Sequence, residues 1–146
     1  MPKYLDYNGT NYLIDKLKAE ETDWVDVPRE QWSSANLIWD SGYVKYKVYG
    51  NLVHWSLQNL RTTGKITYDI GATLLNGLPS ITRPKDDTAF YSYIPTIIIS
   101  SGRIFGGNVN IFKSGDTNNW CIVAYSFDGN GIVPTYGLYC EMLYLI

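Results

Sequence analysis

The chain has little histidine, little cysteine and little charge. Its 146 residues include one histidine, His54, and two cysteines, Cys121 and Cys140. A single histidine excludes a histidine-rich metal site or a histidine dyad, and two cysteines make neither a zinc site nor a disulfide framework. We therefore expect no metal and no cofactor, and we interpret both cysteines as buried free thiols.

Two further absences concern nucleic acid and membranes. The chain has 12 basic and 14 acidic residues, and its basic residues form no run longer than the pair Lys16 and Lys18. Nucleic-acid binding needs a basic footprint, so we exclude it. No apolar run is long enough to span a bilayer, and the N-terminus has an early acid, Asp6, with no signal-peptide core. We expect a protein made in the cytoplasm, without membrane insertion.

Aromatic residues, in contrast, are abundant. The chain contains 13 tyrosines and 5 tryptophans, together with 13 glycines. This composition is typical of a globular, sheet-rich domain, because aromatic side chains pack well across neighbouring strands. Tyrosine and tryptophan are also favoured at protein interfaces and on sugar-binding surfaces, where an apolar ring carries one polar tip. The length suits one domain with a real core.

The strongest local signal is an alternation of period two after Gly42. Residues 43–49 alternate between apolar and more polar positions, as a strand does when one face is buried. Gly50 and Asn51 follow, and glycine adopts the positive φ that the first central position of a type II′ turn requires. The pattern predicts a hairpin into a second strand over residues 52–60.

Further strands follow at the spacing of a sandwich or jelly roll. Glycine-containing turn signals separate them, and we interpret Gly106-Gly107 as a hairpin turn. Pro95 indicates the start or the edge of its strand. The sequence predicts a mainly β fold, an antiparallel β-sandwich with a jelly-roll-like arrangement. The remaining predicted strands are 65–70, 72–75, 93–100, 103–105, 108–112, 120–127 and 138–145.

The N-terminal region differs from the β region in composition and in hydrophobic pattern. Thr10 is a good cap for a short helix over residues 11–19, whose narrow apolar stripe must dock on its own domain or on identical helices of neighbouring subunits. The next stretch is rich in Glu, Asp, Ser and Pro with isolated tryptophans, which indicates a connector with one or two short strands. We therefore divide the chain into a helical segment 1–20, a connector 21–41 and a head domain 42–146.

The residues for catalysis are sparse. His54 forms no nucleophilic arrangement with a recognised signature, since neither Ser56 nor Cys121 lies in a nucleophile elbow. We interpret it as a strand histidine on a polar face. Paired carboxylates for glycoside cleavage depend on a separation in space that sequence does not supply. The chain is not expected to be an enzyme. The carboxylates concerned are Asp86, Asp87, Asp116, Asp128 and Glu141.

Two loops mix aromatic and polar residues, over 113–120 and 129–136. Sugar recognition uses this mixture, because a ring covers the C–H face of a pyranose while carboxylates and amides bind its hydroxyl groups. An alternative for the tryptophan is that it is simply the first core residue of its strand. The predicted ligand contacts are Trp120, Asp116, Asn118, Asn119 and Tyr136.

Four blocks of the chain resemble a module at the ends of tail fibres and minor structural proteins of phages and prophages of Gram-positive bacteria. The first block is residues 42–53. In the second, residues 72–75 lead into residues 78–84, which are similar to that module's Leu-Pro-x-Gly-Tyr-Arg-Pro motif. Residues 102–111 look like its glycine-turn hairpin, and the opening 3–18 looks like the start of many small tail proteins. Ile81 and Thr82 replace the usual Gly-Tyr, so a role of that aromatic does not transfer.

The resemblance implies a β-sandwich head, commonly trimeric, that lies at the tip of a phage tail and binds a host cell-wall polysaccharide. It implies a location in the virion, contacts with other tail proteins and no catalytic residues. A homotrimer would bury the short helical stripe, and three weak sites would gain by avidity. Two alternatives remain: an assembly or decoration module that binds only virion proteins, and a polysaccharide-degrading enzyme.

Overall fold

The fold is described by a computed structural model over residues 23–33, 42–64, 66–67, 71–99, 102–105, 107–126 and 137–146. Within these residues the regular structure is almost entirely β, with two short 3-10 turns at Arg29–Gln31 and Ser80–Thr82. The strands are β1 (Val25–Asp26), β2 (Tyr43–Tyr49), β3 (Leu52–Leu60), β4 (Ala72–Asn76), β5 (Phe90–Tyr93), β6 (Thr96–Ile99), β7 (Gly102–Phe105), β8 (Asn108–Lys113), β9 (Trp120–Tyr125) and β10 (Gly137–Leu145).

The predicted hairpin of β2 and β3 is confirmed. The two strands pair antiparallel up to Tyr49 and Leu52, so the loop has two residues. Gly50 has a φ of 56°, as the first central position of a type II′ turn requires. Along β2 every second residue is buried, which is the expected consequence of one face packing on a core.

Two antiparallel sheets make up the fold. The larger has six strands in the order β1-β2-β3-β10-β6-β7, and the smaller has four in the order β4-β9-β8-β5. Buried side chains of both sheets form one hydrophobic cluster. This arrangement confirms the mainly β, antiparallel prediction and is that of a β-sandwich. The helix predicted over residues 11–19 lies outside the described residues.

A buried chain of hydrogen bonds links the centre of the large sheet to the 3-10 turn at Ser80–Thr82. Trp55 of β3 is fully buried, and its indole N–H donates to the hydroxyl of Tyr144 in β10 at 2.9 Å. That hydroxyl donates in turn to the carbonyl of Thr82 at 2.6 Å. Burial raises the pKa of Tyr144, so the phenol stays protonated and keeps its role as a donor. The largest core side chain therefore has its one polar atom satisfied.

The stretch before β2 is part of this sandwich. β1 adds to the edge of the large sheet, while Trp32 forms a bridge with Leu75 at the edge of the small sheet. The indole N–H of Trp32 donates to the carbonyl of Val27, and both residues are buried. Residues predicted as connector thus contact an edge strand of each sheet, and β1 is one of the short strands expected there.

Two predicted strands differ from the structure. The strand predicted over 93–100 is broken at Ile94 and Pro95, because β5 ends at Tyr93 in the small sheet and β6 begins at Thr96 in the large one. Proline has no N–H to donate and restricts the residue before it, so the chain changes sheets at this point. The described part of 65–70 forms no named strand, and only Ile66 there is in a bridge.

The hairpin predicted at Gly106-Gly107 is wrong. β7 pairs with β6 in the large sheet, whereas β8 pairs with β5 and β9 in the small sheet. The connection therefore crosses between the sheets and joins no paired strands. Gly107 has a φ of 88° and lies directly against the backbone of Tyr125, so a glycine is needed there for a different reason.

Two tyrosines cover part of an open strand edge. On the side of β10 that faces β6, only the first residues of β10, from Gly137 to Tyr139, are paired with β6. Beyond that point the hydroxyl of Tyr93 donates to the carbonyl of Leu143 at 2.5 Å, and that of Tyr91 to the carbonyl of Leu145 at 3.2 Å. Burial raises the pKa of Tyr93 to about 12, which keeps this donor protonated at neutral pH.

The two thiols are expected to be unreactive in the native protein. Cys121 and Cys140 are both free and buried. Burial raises the pKa of both and brings that of Cys140 to about 12, with a smaller contribution from the charge of Glu141. Because the thiolate is the reactive form, we expect no reaction with Ellman's reagent at pH 8 and reaction of both thiols in urea. Rapid labelling of either thiol without denaturant would contradict their placement.

Candidate functional site

The loop between β8 and β9 forms a closed turn at one end of the small sheet. The N–H of Ser114 donates to the carbonyl of Asn119 at 2.8 Å, and the N–H of Asn118 donates to the carbonyl of Ser114 at 2.9 Å. Asn118 has a φ of 54°, a conformation that asparagine tolerates better than most residues. The backbone of the loop is thus fixed by its own hydrogen bonds.

Three of the predicted contact residues are exposed on this loop: Asp116, Asn118 and Asn119. Their side chains supply a carboxylate acceptor and two amides, each amide with donors and an acceptor. A turn that holds these groups in place loses little conformational entropy when a ligand binds. The loop is chemically suited to bind hydroxyl groups.

The other two predicted contacts have different outcomes. Trp120 begins β9 and is 5% exposed, and it belongs to the hydrophobic cluster between the sheets. Its ring therefore occupies the core position that was the alternative interpretation. Tyr136 lies outside the described residues, so its contact stays a prediction.

Sequence reasoning missed the residues beside the loop. Lys113, which precedes it, forms an ion pair with Asp87 at 2.6 Å. One residue earlier on β8, Phe112 stacks on Phe90 of β5, with ring centroids 5.9 Å apart and planes inclined by 30°. Phe90 is 59% exposed. This pair places an exposed ring near the loop, and only the β5–β8 register brings it there.

Three of the acids considered for glycoside cleavage, Asp86, Asp87 and Glu141, have hydrogen-bond or ion-pair partners. Asp86 accepts hydrogen bonds from the hydroxyl and the N–H of Thr88 at 2.7 and 2.9 Å, which lower the pKa of its carboxyl group. Asp87 pairs with Lys113 as described above, and Asp128 lies outside the described residues. No group of three or more metal-ligating side chains is found in the described part of the chain.

The last of these acids, Glu141, lies on the outer face of the large sheet with a set of polar partners. Its carboxylate contacts His54 Nε2 at 2.6 Å and accepts a hydrogen bond from Ser56 Oγ at 2.6 Å. The hydroxyl of Ser56 is therefore directed at the glutamate and not at the histidine. Sequence reasoning missed this cluster, because 87 residues separate His54 from Glu141. The prediction that His54 lies on a polar strand face is confirmed.

Within the described residues, no helix combines the length and the apolar character needed to cross a membrane.

Comparison with known proteins identifies a shared fold. No family model matches the chain, and no curated protein matches it. Among solved structures it is similar to the head domain of lactococcal phage bIL170, from work on the receptor-binding domains of lactococcal phages. The TM-score is 0.61, and the match covers 84% of this chain and 96% of the head domain at 8% identity. The chain therefore has the fold of a phage receptor-binding head domain, and identity this low shows the fold alone.

Proposed function

We propose that this chain is the receptor-binding head of a phage or prophage tail, and that it recognises a carbohydrate on the host surface without transforming it. The observation that carries the proposal is the match to nearly the whole of a phage receptor-binding head domain. The sequence resemblance to tail proteins supports it independently, since it rests on motifs and the match rests on the fold. A Gram-positive host fits both.

The β8–β9 loop is the proposed contact with the carbohydrate. Asp116, Asn118 and Asn119 bind sugar hydroxyl groups from a turn whose backbone is already fixed. Tyr136 is kept as a further proposed contact. Trp120 is buried and is no longer proposed as a contact, and the exposed ring of Phe90, beside Phe112 on the strand that leads into the loop, is a candidate for stacking.

A homotrimer in the virion, attached to other tail proteins, is the proposed assembly. Three weak carbohydrate sites on one particle bind a repeating polysaccharide with high avidity although each contact is weak. Large exposed apolar side chains are available for subunit or tail contacts, and they include Phe90, Ile94 and Leu145. The same observation favours the second candidate function, an assembly module that binds only virion proteins.

Loop variants test the proposed contact. We expect Asp116→Asn combined with Asn118→Gly to weaken binding to host cell walls by about 10-fold or more, because a hydrogen bond to a charged group contributes about 1.5–3 kcal/mol. Glycine keeps the positive φ of position 118 while removing its amide side chain. The measurement is co-sedimentation of the purified protein with cell walls of candidate Gram-positive hosts.

The matched control is Glu30→Gln, an isosteric change of an exposed acid in the first 3-10 turn. It should bind like the unchanged protein, and all variants should unfold at the same temperature. Unchanged cell-wall binding by the loop variant would exclude the loop as the contact. Absence of cell-wall binding by the unchanged protein, together with a stable complex with another tail protein, would favour the assembly module.

A further inference from the structure

The outer face of the large sheet carries a polar row across three neighbouring strands. Lys45 of β2 lies opposite Ser56 of β3, and Ser56 lies opposite Glu141 of β10. Strands of the sheet hold these positions, so the spacing of the side chains is fixed more firmly than on a loop. This face is on the opposite sheet from the β8–β9 loop.

The carboxylate of Glu141 is held in one orientation. Its Oε1 accepts hydrogen bonds from Ser56 Oγ and Gln58 Nε2, both at 2.6 Å, and its Oε2 contacts His54 Nε2 at 2.6 Å. Nevertheless its side chain is 47% exposed. A carboxylate has about four lone-pair sites, so Oε2 retains acceptor capacity toward solvent beyond its contact with His54.

Aromatic side chains contact His54 and Lys45 on this face. Trp24 is 39% exposed, and its ring meets that of His54 edge to face with centroids 5.0 Å apart. The ammonium group of Lys45 lies 5.3 Å from the Trp24 centroid and 4.3 Å from that of Tyr43. Cation–π contacts of this kind hold the lysine beside the cluster.

A cavity adjoins the cluster through His54. It has a volume of about 280 Å³ and is lined by Tyr49, Leu52, His54 and Leu143. That volume is near the lower end, about 300 Å³, of the range for small-ligand sites. Its walls are mostly apolar, while the imidazole links it to the carboxylate, so the site combines an apolar recess with a polar edge.

We propose that this outer face binds a neutral sugar residue, as a second carbohydrate site separate from the β8–β9 loop. The C–H face of the pyranose packs on Trp24 and one edge of the sugar enters the recess, while a hydroxyl group donates to Glu141 and the ammonium group of Lys45 donates to a ring substituent. That the ligand is a carbohydrate rests on the proposed function. The location of the site rests on the cluster of Glu141 with His54, Ser56 and Gln58.

Titration of ¹⁵N-labelled protein with glucose, galactose and N-acetylglucosamine tests this site. The indole N–H of Trp24 and the side-chain amide of Gln58 report on the sheet face, whereas the amides of Asn118 and Asn119 report on the loop. We expect saturable shifts of the first pair with at least one of the three sugars. We also expect that Trp24→Ala and Glu141→Gln each weaken that affinity at least tenfold.

Trp24 takes no part in the hydrogen bonds of Glu141. The Trp24→Ala variant therefore still tests the site if Glu141→Gln disturbs the sheet. Glu30→Gln, a matched isosteric change away from this face, should leave the affinity unchanged. Shifts confined to the loop amides would overturn the sheet-face site and leave the proposed function standing. Absence of saturable shifts at Trp24 and Gln58 with all three sugars would also overturn it, while cell-wall binding decides the proposed function separately.

Discussion

Replacement of Trp55 by alanine is expected to lower the free energy of unfolding by about 3–5 kcal/mol, the usual range for a large aromatic side chain in a core. The side chain is fully buried, so the truncation leaves a cavity between the sheets. It also removes the indole donor to Tyr144, whose hydroxyl then keeps only its bond to Thr82. Urea unfolding measures the effect as a lower midpoint with an unchanged slope.

Two variants separate the contributions at this position. Trp55→Phe keeps most of the ring and removes the indole N–H, and we expect a loss of about 1–2 kcal/mol. Trp24→Ala makes the same change as Trp55→Ala at a tryptophan that is 39% exposed. We expect it to cost about 1–2 kcal/mol, because it loses an edge contact with His54 and a cation–π contact with Lys45. Equal losses for Trp24→Ala and Trp55→Ala would contradict the placement of Trp55 in the core.

Gly107→Ala is expected to lower the free energy of unfolding by about 2–4 kcal/mol. The positive φ alone costs an alanine about 1 kcal/mol. The new Cβ would also overlap the carbonyl oxygen of Tyr125, so the backbones of two segments must move apart, at a further cost of about 1–3 kcal/mol. Thermal or urea unfolding measures the loss.

Substitutions at two other glycines separate the cost of the positive φ from the cost of the overlap with Tyr125. Gly77 also has a positive φ, 100°, but an added Cβ meets nothing within 4 Å, so Gly77→Ala should cost about 1 kcal/mol. At Gly115 the Cβ also meets nothing within 4 Å, and its φ lies outside the positive range. Gly115→Ala should therefore be neutral or stabilise by up to about 1 kcal/mol. A loss at Gly107 no greater than at Gly77 would show that the close approach to Tyr125 is relieved without cost.

Local patterns predicted those parts of the fold that neighbours in sequence determine. The β2–β3 hairpin follows from the alternation of its strands and from Gly50, and both lie within a few residues of each other. Pro95 was correctly predicted to mark a strand start. The changes of sheet at Pro95 and Gly107 were not predicted, because a turn signal gives a change of direction and does not say which sheet receives the next strand. Partner choice depends on contacts between distant segments.

The candidate sites likewise contain residues that local sequence predicts and residues that depend on distant segments. The β8–β9 loop was predicted because its glycine, aspartate and asparagines are adjacent, and its exposed polar side chains are where the pattern put them. The burial of Trp120 depends on side chains of the opposite sheet, and the pairing of His54 with Glu141 depends on a strand 87 residues away. No local spacing contains that information. The trimer and the contact by Tyr136 stay predictions.

The position of β10 in the large sheet has a consequence for protein synthesis. This strand lies between β3 and β6, so the strand that follows all the others of its sheet in sequence provides the middle of that sheet. While the nascent chain grows on the ribosome, β2 and β3 can pair early, but Trp55 has no cover from Tyr144 until residue 144 has emerged. Closing so long a loop is slow, and we therefore expect the core to be completed only after β10 has left the ribosome.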